Sequence, residues 1–282
     1  MSWLWLSFAS AFAQSISGLV QKNHISKNFN DSILTGCLFN FLAGVLSLCI
    51  GIILGEFAWT YTTLSLVLTL IVCVGYILST AAYFAVLRYT DVSLLTIFGS
   101  LRSVCTLIGA YALFGEVLNL HQLIGMCLVF LGIIVTQHRH RTHLTTHTLA
   151  LVSVFVLCVG LGQVAERYIS HHMNIYLYLC LAYCIPSGAL FLIQYTKQRR
   201  PLLRKRHTFG AGLIVASTLA VGSVLLMRAI QYAPTATQPS IVSQSRVIIT
   251  VILAAIFLHE RTHLRTKLFS AILCVLGLIL LK

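Results

Sequence analysis

Residues 101–116 read LRSVCTLIGAYALFGE, and residues 245–260 read SRVIITVILAAIFLHE. Aligned without a gap, they share Arg102/Arg246, Thr106/Thr250, Ile108/Ile252, Ala110/Ala254 and Glu116/Glu260. The first, second and fourth pairs fall at i, i+4 and i+8, one face of a helix. That face reads Arg-Thr-Ala in both copies, inside otherwise apolar segments. An arginine at the centre of a bilayer costs roughly 2.5 kcal/mol or more. Meeting that cost twice, at matched positions, argues for a use.

The surrounding chain explains why the bilayer is the right solvent to reason in. Of 282 residues, 58% are hydrophobic and 9% charged, against about 25% charged in soluble domains. The mean hydropathy is +0.92. Apolar segments run over 2–21, 32–55, 63–87, 92–114, 120–137, 148–167, 175–196, 208–231, 235–258 and 264–281. Each is long enough to cross as a helix, and only helices or closed barrels satisfy the backbone in lipid. No period-2 alternation suggests a barrel. The reading is an all-α membrane protein of ten transmembrane helices. MSWLWLSFASAFAQ at the N-terminus lacks a basic n-region and reads as the first span rather than a cleaved leader.

The connections are short and polar: KNHISKNFND (22–31), QHRHRTHLTTH (137–147), KQRRPLLRKRH (197–207) and HERTHLRTK (259–267). Fourteen Lys and Arg fall in odd-numbered connections and three on the other side, so the odd loops are expected to be cytoplasmic and the location an inner membrane. The net charge of +13 would in a soluble protein suggest nucleic acid; sited in loops, it suggests anionic headgroups instead. Nine cysteines lie mostly inside apolar segments without CxxC spacing, so they read as small apolar residues. His138, His140, His143 and His147 are interleaved with Arg139 and Arg141, which repel a cation; no metal or cofactor is assigned.

The repeat extends outward. Leu131-Gly132-Ile133 follows the first copy and Leu276-Gly277-Leu278 the second. Spans three to five match spans eight to ten, giving halves 1–140 and 141–282. Five is odd, so the halves insert in opposite senses, the inverted-repeat logic that places a site at the midplane. The fold expected is two inverted five-helix repeats around a central cavity.

The stretches AYALFGEVLNLHQLIGMCLVFLGIIV (110–135) and AAIFLHERTHLRTKLFSAILCVLGLILL (254–281) resemble the two half-signatures of EamA-type carriers of the drug/metabolite transporter superfamily. The resemblance spans essentially the whole chain. It implies a ten-helix basket with a central cavity, alternating access, and uptake or export of small metabolites, often without a dedicated cofactor. An enzyme is not expected, because the sequence shows no paired intramembrane carboxylates, no nucleophile–base set and no HExxH-type helix. There are departures. The mid-span proline of such carriers is Ser103 in one half and Val247 in the other, Gly115 is matched by His259, and the first span offers Gln14 where cation exporters keep a carboxylate.

Candidate site residues follow from polarity at depth. Arg102 and Arg246 are expected to bind a carboxylate or phosphate bidentately, the competing reading being that they only lock packing. Thr106 and Thr250 share their faces. Gln14, Gln163 and Gln244 carry amides that need partners in hydrocarbon. Tyr83 has a hydroxyl that needs one too, although ordinary core packing is the favoured reading. Glu166 is a coupling candidate, but its place near a span end favours the headgroup level. Glu116 and Glu260 lie 14 residues past the arginines, about 21 Å along a helix, and suit the start of the next helix. Gly125/Gly132 and Ser270/Gly277, each spaced i, i+7, allow close helix approach or a homodimer face. The function expected is a secondary transporter of a small anionic or zwitterionic metabolite. A lipid-linked headgroup flippase subunit and a non-transporting scaffold are the alternatives.

Overall fold

A computed structural model describes residues 3–27, 32–87, 90–114, 120–139, 146–198, 206–233, 239, 242–258 and 264–280. Among these the elements are helical: α1 (Trp3–Lys27), α2 (Ser32–Ile53), α3 (Thr63–Leu87), α4 (Val92–Gly99), α5 (Leu101–Phe114), α6 (Leu120–Arg139), α7 (Thr146–His172), α8 (Ile175–Gln198), α9 (Arg206–Tyr232), α10 (Arg246–Phe257) and α11 (Leu264–Leu280). Six are long and apolar enough to cross a membrane: α1, α2, α3, α7, α8 and α9. Glu116, Glu260, His140, His143 and the basic run 199–205 lie outside the described residues.

Solvent logic is inverted relative to a soluble protein. Large apolar side chains such as Phe12, Ile71, Leu192 and Phe257 face outward, while Ser10, Gln21, Arg102 and Glu166 are buried. Lipid accepts the first set, and the polar set needs partners inside the protein. Trp59 and Tyr61, in the link between α2 and α3, stay exposed as expected for an interfacial aromatic belt.

Packing follows the repeat. The helix α1 lies along α9, and α7 lies along α3. The helix α2 packs on α8, and α6 on α11. The helix α5 meets α7, and α10 meets α1. Exchanging the halves (α1 with α7, α2 with α8, α3 with α9, α4–α5 with α10, α6 with α11) maps this set of contacts onto itself. Gly132 shows how closely α6 and α11 approach: a Cβ there would lie 2.9 Å from the Ser270 carbonyl and 2.7 Å from Cys274 Sγ. The small-residue face read as packing or dimer contact therefore closes, at Gly132 and Ser270, within the chain itself.

The span expected over 92–114 is two helices. Ser100 N donates to Ile97 O at 3.1 Å and Ser103 N to Ser100 O at 3.1 Å, a tight turn of i→i+3 bonds. The other half repeats it: Ser245 N to Val242 O at 3.0 Å and Val247 N to Gln244 O at 2.9 Å. Ser103 and Val247 are the positions where the proline is absent. The ladder is thus broken at matched places without proline, and both arginines sit just past the break.

Among the described residues two ion pairs tie the halves together. Arg228 of α9 pairs with Glu56 after α2, and Tyr176 OH donates to the same carboxylate at 2.6 Å. Lys267 of α11 pairs with Asp91 at 2.8 Å, its side chain fully enclosed. Lys267 looks like a loop residue in HERTHLRTK, yet it lies in the first turn of α11, which is docked on α4. Removing the carboxylate takes a charged partner away from an enclosed ammonium. Asp91→Ala is expected to destabilise the protein by about 3 kcal/mol, and Asp91→Asn/Lys267→Met by much less. Thermal unfolding in detergent checks this order.

Candidate functional site

Polar residues on one face of an apolar helix mark what that helix surrounds. The helix α3 carries Tyr76, Thr80 and Tyr83 at i, i+4 and i+7, and all three line a central cavity of about 260 Å³. Gln14 comes to it from α1, Asn40 from α2, Thr96 from α4, Arg102 from α5, Gln163 and Glu166 from α7, Tyr178 and Tyr183 from α8, Ser223 from α9, and Arg246 and Thr250 from α10. Among the described residues, α6 and α11 contribute none; they pair with each other outside the basket.

The two arginines thus meet one cavity from the two halves. Arg102 is 6% exposed. We orient the Gln244 amide with its oxygen toward the guanidinium, because the opposite orientation sets NH2 against NH2. The oxygen then accepts from Arg102 Nε at 3.0 Å, Arg102 Nη2 at 3.1 Å and Ser103 Oγ at 2.8 Å. Arg246 Nη1 donates to Gln14 Oε1 at 2.7 Å. Gln14 Nε2 in turn donates to Ser10 Oγ at 3.0 Å, so the amide is fixed from both ends. Among the described residues neither arginine forms an ion pair with a carboxylate.

Glu166 corrects the headgroup reading. It is 7% exposed and lines the cavity. The apolar stretch ends at 167, but α7 runs on to His172, which puts Glu166 about 9 Å inside the helix end. Its Oε1 accepts from Tyr76 OH at 2.6 Å and Tyr178 OH at 2.9 Å. Two neutral donors hold a carboxylate in the same chamber as two guanidinium groups.

The remaining candidates divide. Thr250 and Tyr83 line the cavity, and Thr250 Oγ1 donates to Ser15 Oγ at 3.1 Å. Tyr83 also packs against Phe84 and Phe155, with ring centroids 5.1 and 5.5 Å away. Thr106 and Gln244 stand behind the wall. Thr106 Oγ1 lies 2.8 Å from Arg102 O, 2.9 Å from Gly160 O and 3.3 Å from Gln163 Oε1. It ties α5 to α7, while Gln244 holds Arg102. Tyr76, Tyr178 and Tyr183 were not singled out from the sequence; the polar face of α3 was the available signal for Tyr76. Tyr183 OH is anchored on Ser223 Oγ at 2.6 Å.

No group of three or more His, Cys, Asp or Glu that could hold a metal occurs among the described residues. The arrangement offers net positive charge, hydrogen-bond donors and aromatic walls: it can receive an anion, with one carboxylate at hand.

Comparison with known proteins agrees in architecture. One solved crystal structure matches 99% of this chain and 95% of its own, with a TM-score of 0.71 at 12% identity, a likeness of fold. No curated protein matches the sequence. A family model described as the EamA-like transporter family matches twice, over residues 1–137 and 146–282.

Proposed function

Because the chain belongs to the EamA-like transporter family, and so to the drug/metabolite transporter superfamily and the multi-pass membrane proteins, we propose that it is a secondary transporter moving a small anionic or zwitterionic metabolite across the inner membrane by alternating access. One observation carries this reading: Arg102 and Arg246, from opposite halves, line a single cavity of about 260 Å³. Drug-sized ligands take about 300–1,000 Å³, so the chamber suits a small metabolite.

The mechanism we infer uses ten crossings in two oppositely inserted halves, 1–140 and 141–282, with odd-numbered loops in the cytoplasm. Small residues and paired breaks in the helix ladder let the halves rock about the cavity. The ion pairs Glu56–Arg228 and Asp91–Lys267 each join a carboxylate of the first half to a cation of the second, so motion between halves loads them. An anion on the guanidinium groups screens Glu166 from their positive field. Glu166, held by Tyr76 and Tyr178, is the group through which a proton would couple to that exchange.

Proteoliposome counterflow tests the proposal. Vesicles loaded with lactate, succinate or inorganic phosphate are expected to accumulate the labelled anion saturably over protein-free vesicles. Absence of saturable flux for every anion, with protein shown to be folded, contradicts it.

A further inference from the structure

The two arginines hold equivalent places in the repeat but are satisfied differently. Arg102 gives its Nε and Nη2 to one acceptor, the Gln244 oxygen, at 3.0 and 3.1 Å. Arg246 makes one described side-chain bond, Nη1 to Gln14. Its Nε is enclosed and has no acceptor among the described residues. The sequence explains the difference. Gln244 lies two residues before Arg246, and its counterpart two residues before Arg102 is Ser100. Exchanging the halves, the residue that should clamp Arg246 as Gln244 clamps Arg102 is Ser100. Serine is too short for the task, and Ser100 Oγ donates to Ile97 O at 2.6 Å. Ser103, which also donates to the Gln244 oxygen, is matched by Val247, which can donate nothing.

We propose that the repeat-related arginines have divided roles. Arg246 is the anion ligand, offering its Nε–Nη2 edge to a carboxylate or phosphate. Arg102 is a positioning residue, a fixed positive charge clamped by Gln244. The inference rests on the anion-carrier reading and assigns the ligand within it. To receive an anion on its Nε–Nη2 edge, Arg102 must release an amide oxygen that is itself buried. A buried polar atom stripped of its partner is unfavourable. Arg246 releases nothing on that edge and gains an acceptor for a donor that lacks one. A charged acceptor makes about twice as strong a bond as a neutral one. Binding on this edge requires the guanidinium to turn so that the enclosed Nε faces the cavity Arg246 already lines.

Lysine keeps the charge and loses the planar fork, so it separates the two roles. The variants Arg246→Lys and Arg102→Lys are compared in proteoliposomes for flux of lactate, succinate and inorganic phosphate. Arg246→Lys is expected to raise KM by about ten-fold or more for each anion the parent carries, because a bidentate contact is lost. Arg102→Lys is expected to change KM by less than about three-fold and to show itself in maximal rate and thermal midpoint, as a positioning charge should. Gln244→Ser gives Arg102 the short neighbour that Arg246 has, and serves as the second variant if Arg102→Lys does not fold. Placed on Arg246→Lys, it is expected to recover affinity by about three-fold or more, because it frees a second fork in the same cavity. Equal KM changes for the two lysine variants, or no recovery from Gln244→Ser, overturn the division while leaving the carrier intact. Absence of anion flux in the parent overturns both.

Discussion

Gly160→Leu is expected to abolish transport and to lower the unfolding midpoint, whereas Gly188→Leu does neither. Gly160 lies where α7 crosses α5. A Cβ there would stand 2.7 Å from Cys105 Cβ and 2.8 Å from Arg102 O. The second atom is main chain and cannot swing aside, so α5 must move. Overpacking of this kind costs about 1–3 kcal/mol. The functional effect is larger, because the displaced helix carries Arg102 and the Thr106 tie to Gly160 O at 2.9 Å. Misplacing a working group by an ångström commonly lowers rates by about a hundred-fold. Gly188 is the control, since nothing lies within 4 Å of a Cβ built there. Flux and thermal unfolding, measured on both variants, check the contrast. Parent-like flux in Gly160→Leu contradicts the close α5–α7 crossing.

Arg102→Glu is expected to remove anion transport while the protein still folds. The fold survives because an amide serves either partner. The Gln244 side chain can turn its NH2 to the new carboxylate, and Ser103 Oγ, already 2.8 Å from that amide, can follow. The charge does not survive. Two unit charges about 7 Å apart at an effective dielectric of 20 interact by about 2.4 kcal/mol. Reversing one sign changes the energy of a bound anion by about twice that, some three powers of ten in affinity. This holds even though Arg102 is not the direct ligand, because the field of a buried charge reaches across the chamber. Anion flux within ten-fold of the parent would show that the cavity's charge does not govern binding.

Much of this was written in the primary structure, and the rest was hidden for identifiable reasons. The two-half organisation shows in Arg102/Arg246 and Thr106/Thr250, because a polar residue kept at depth is rare enough to align on. Depth itself was harder. Glu166 looks interfacial because the apolar stretch stops at 167, yet α7 continues to His172. Lys267 sits in a basic string and is nevertheless enclosed against Asp91. Thr106 shares a helix face with Arg102, but its hydroxyl turns back to the Arg102 carbonyl and to α7, a choice that periodicity does not contain. The broken ladders at Ser100 and Gln244 carry no proline to announce them. The unequal satisfaction of the arginines depends on Gln14 and Gln244, partners from opposite ends of the chain, which only packing brings together.

The central claim is that the chamber selects negative charge. Thermal stabilisation of the purified protein by lactate and by lactamide, its neutral amide of nearly the same shape, tests this most directly, alongside succinate and inorganic phosphate. The account predicts that anions raise the unfolding midpoint in a saturable, concentration-dependent way, that lactamide does not, and that Arg102→Glu abolishes the difference. Equal stabilisation by lactate and lactamide, or an anion effect unchanged in Arg102→Glu, would contradict it.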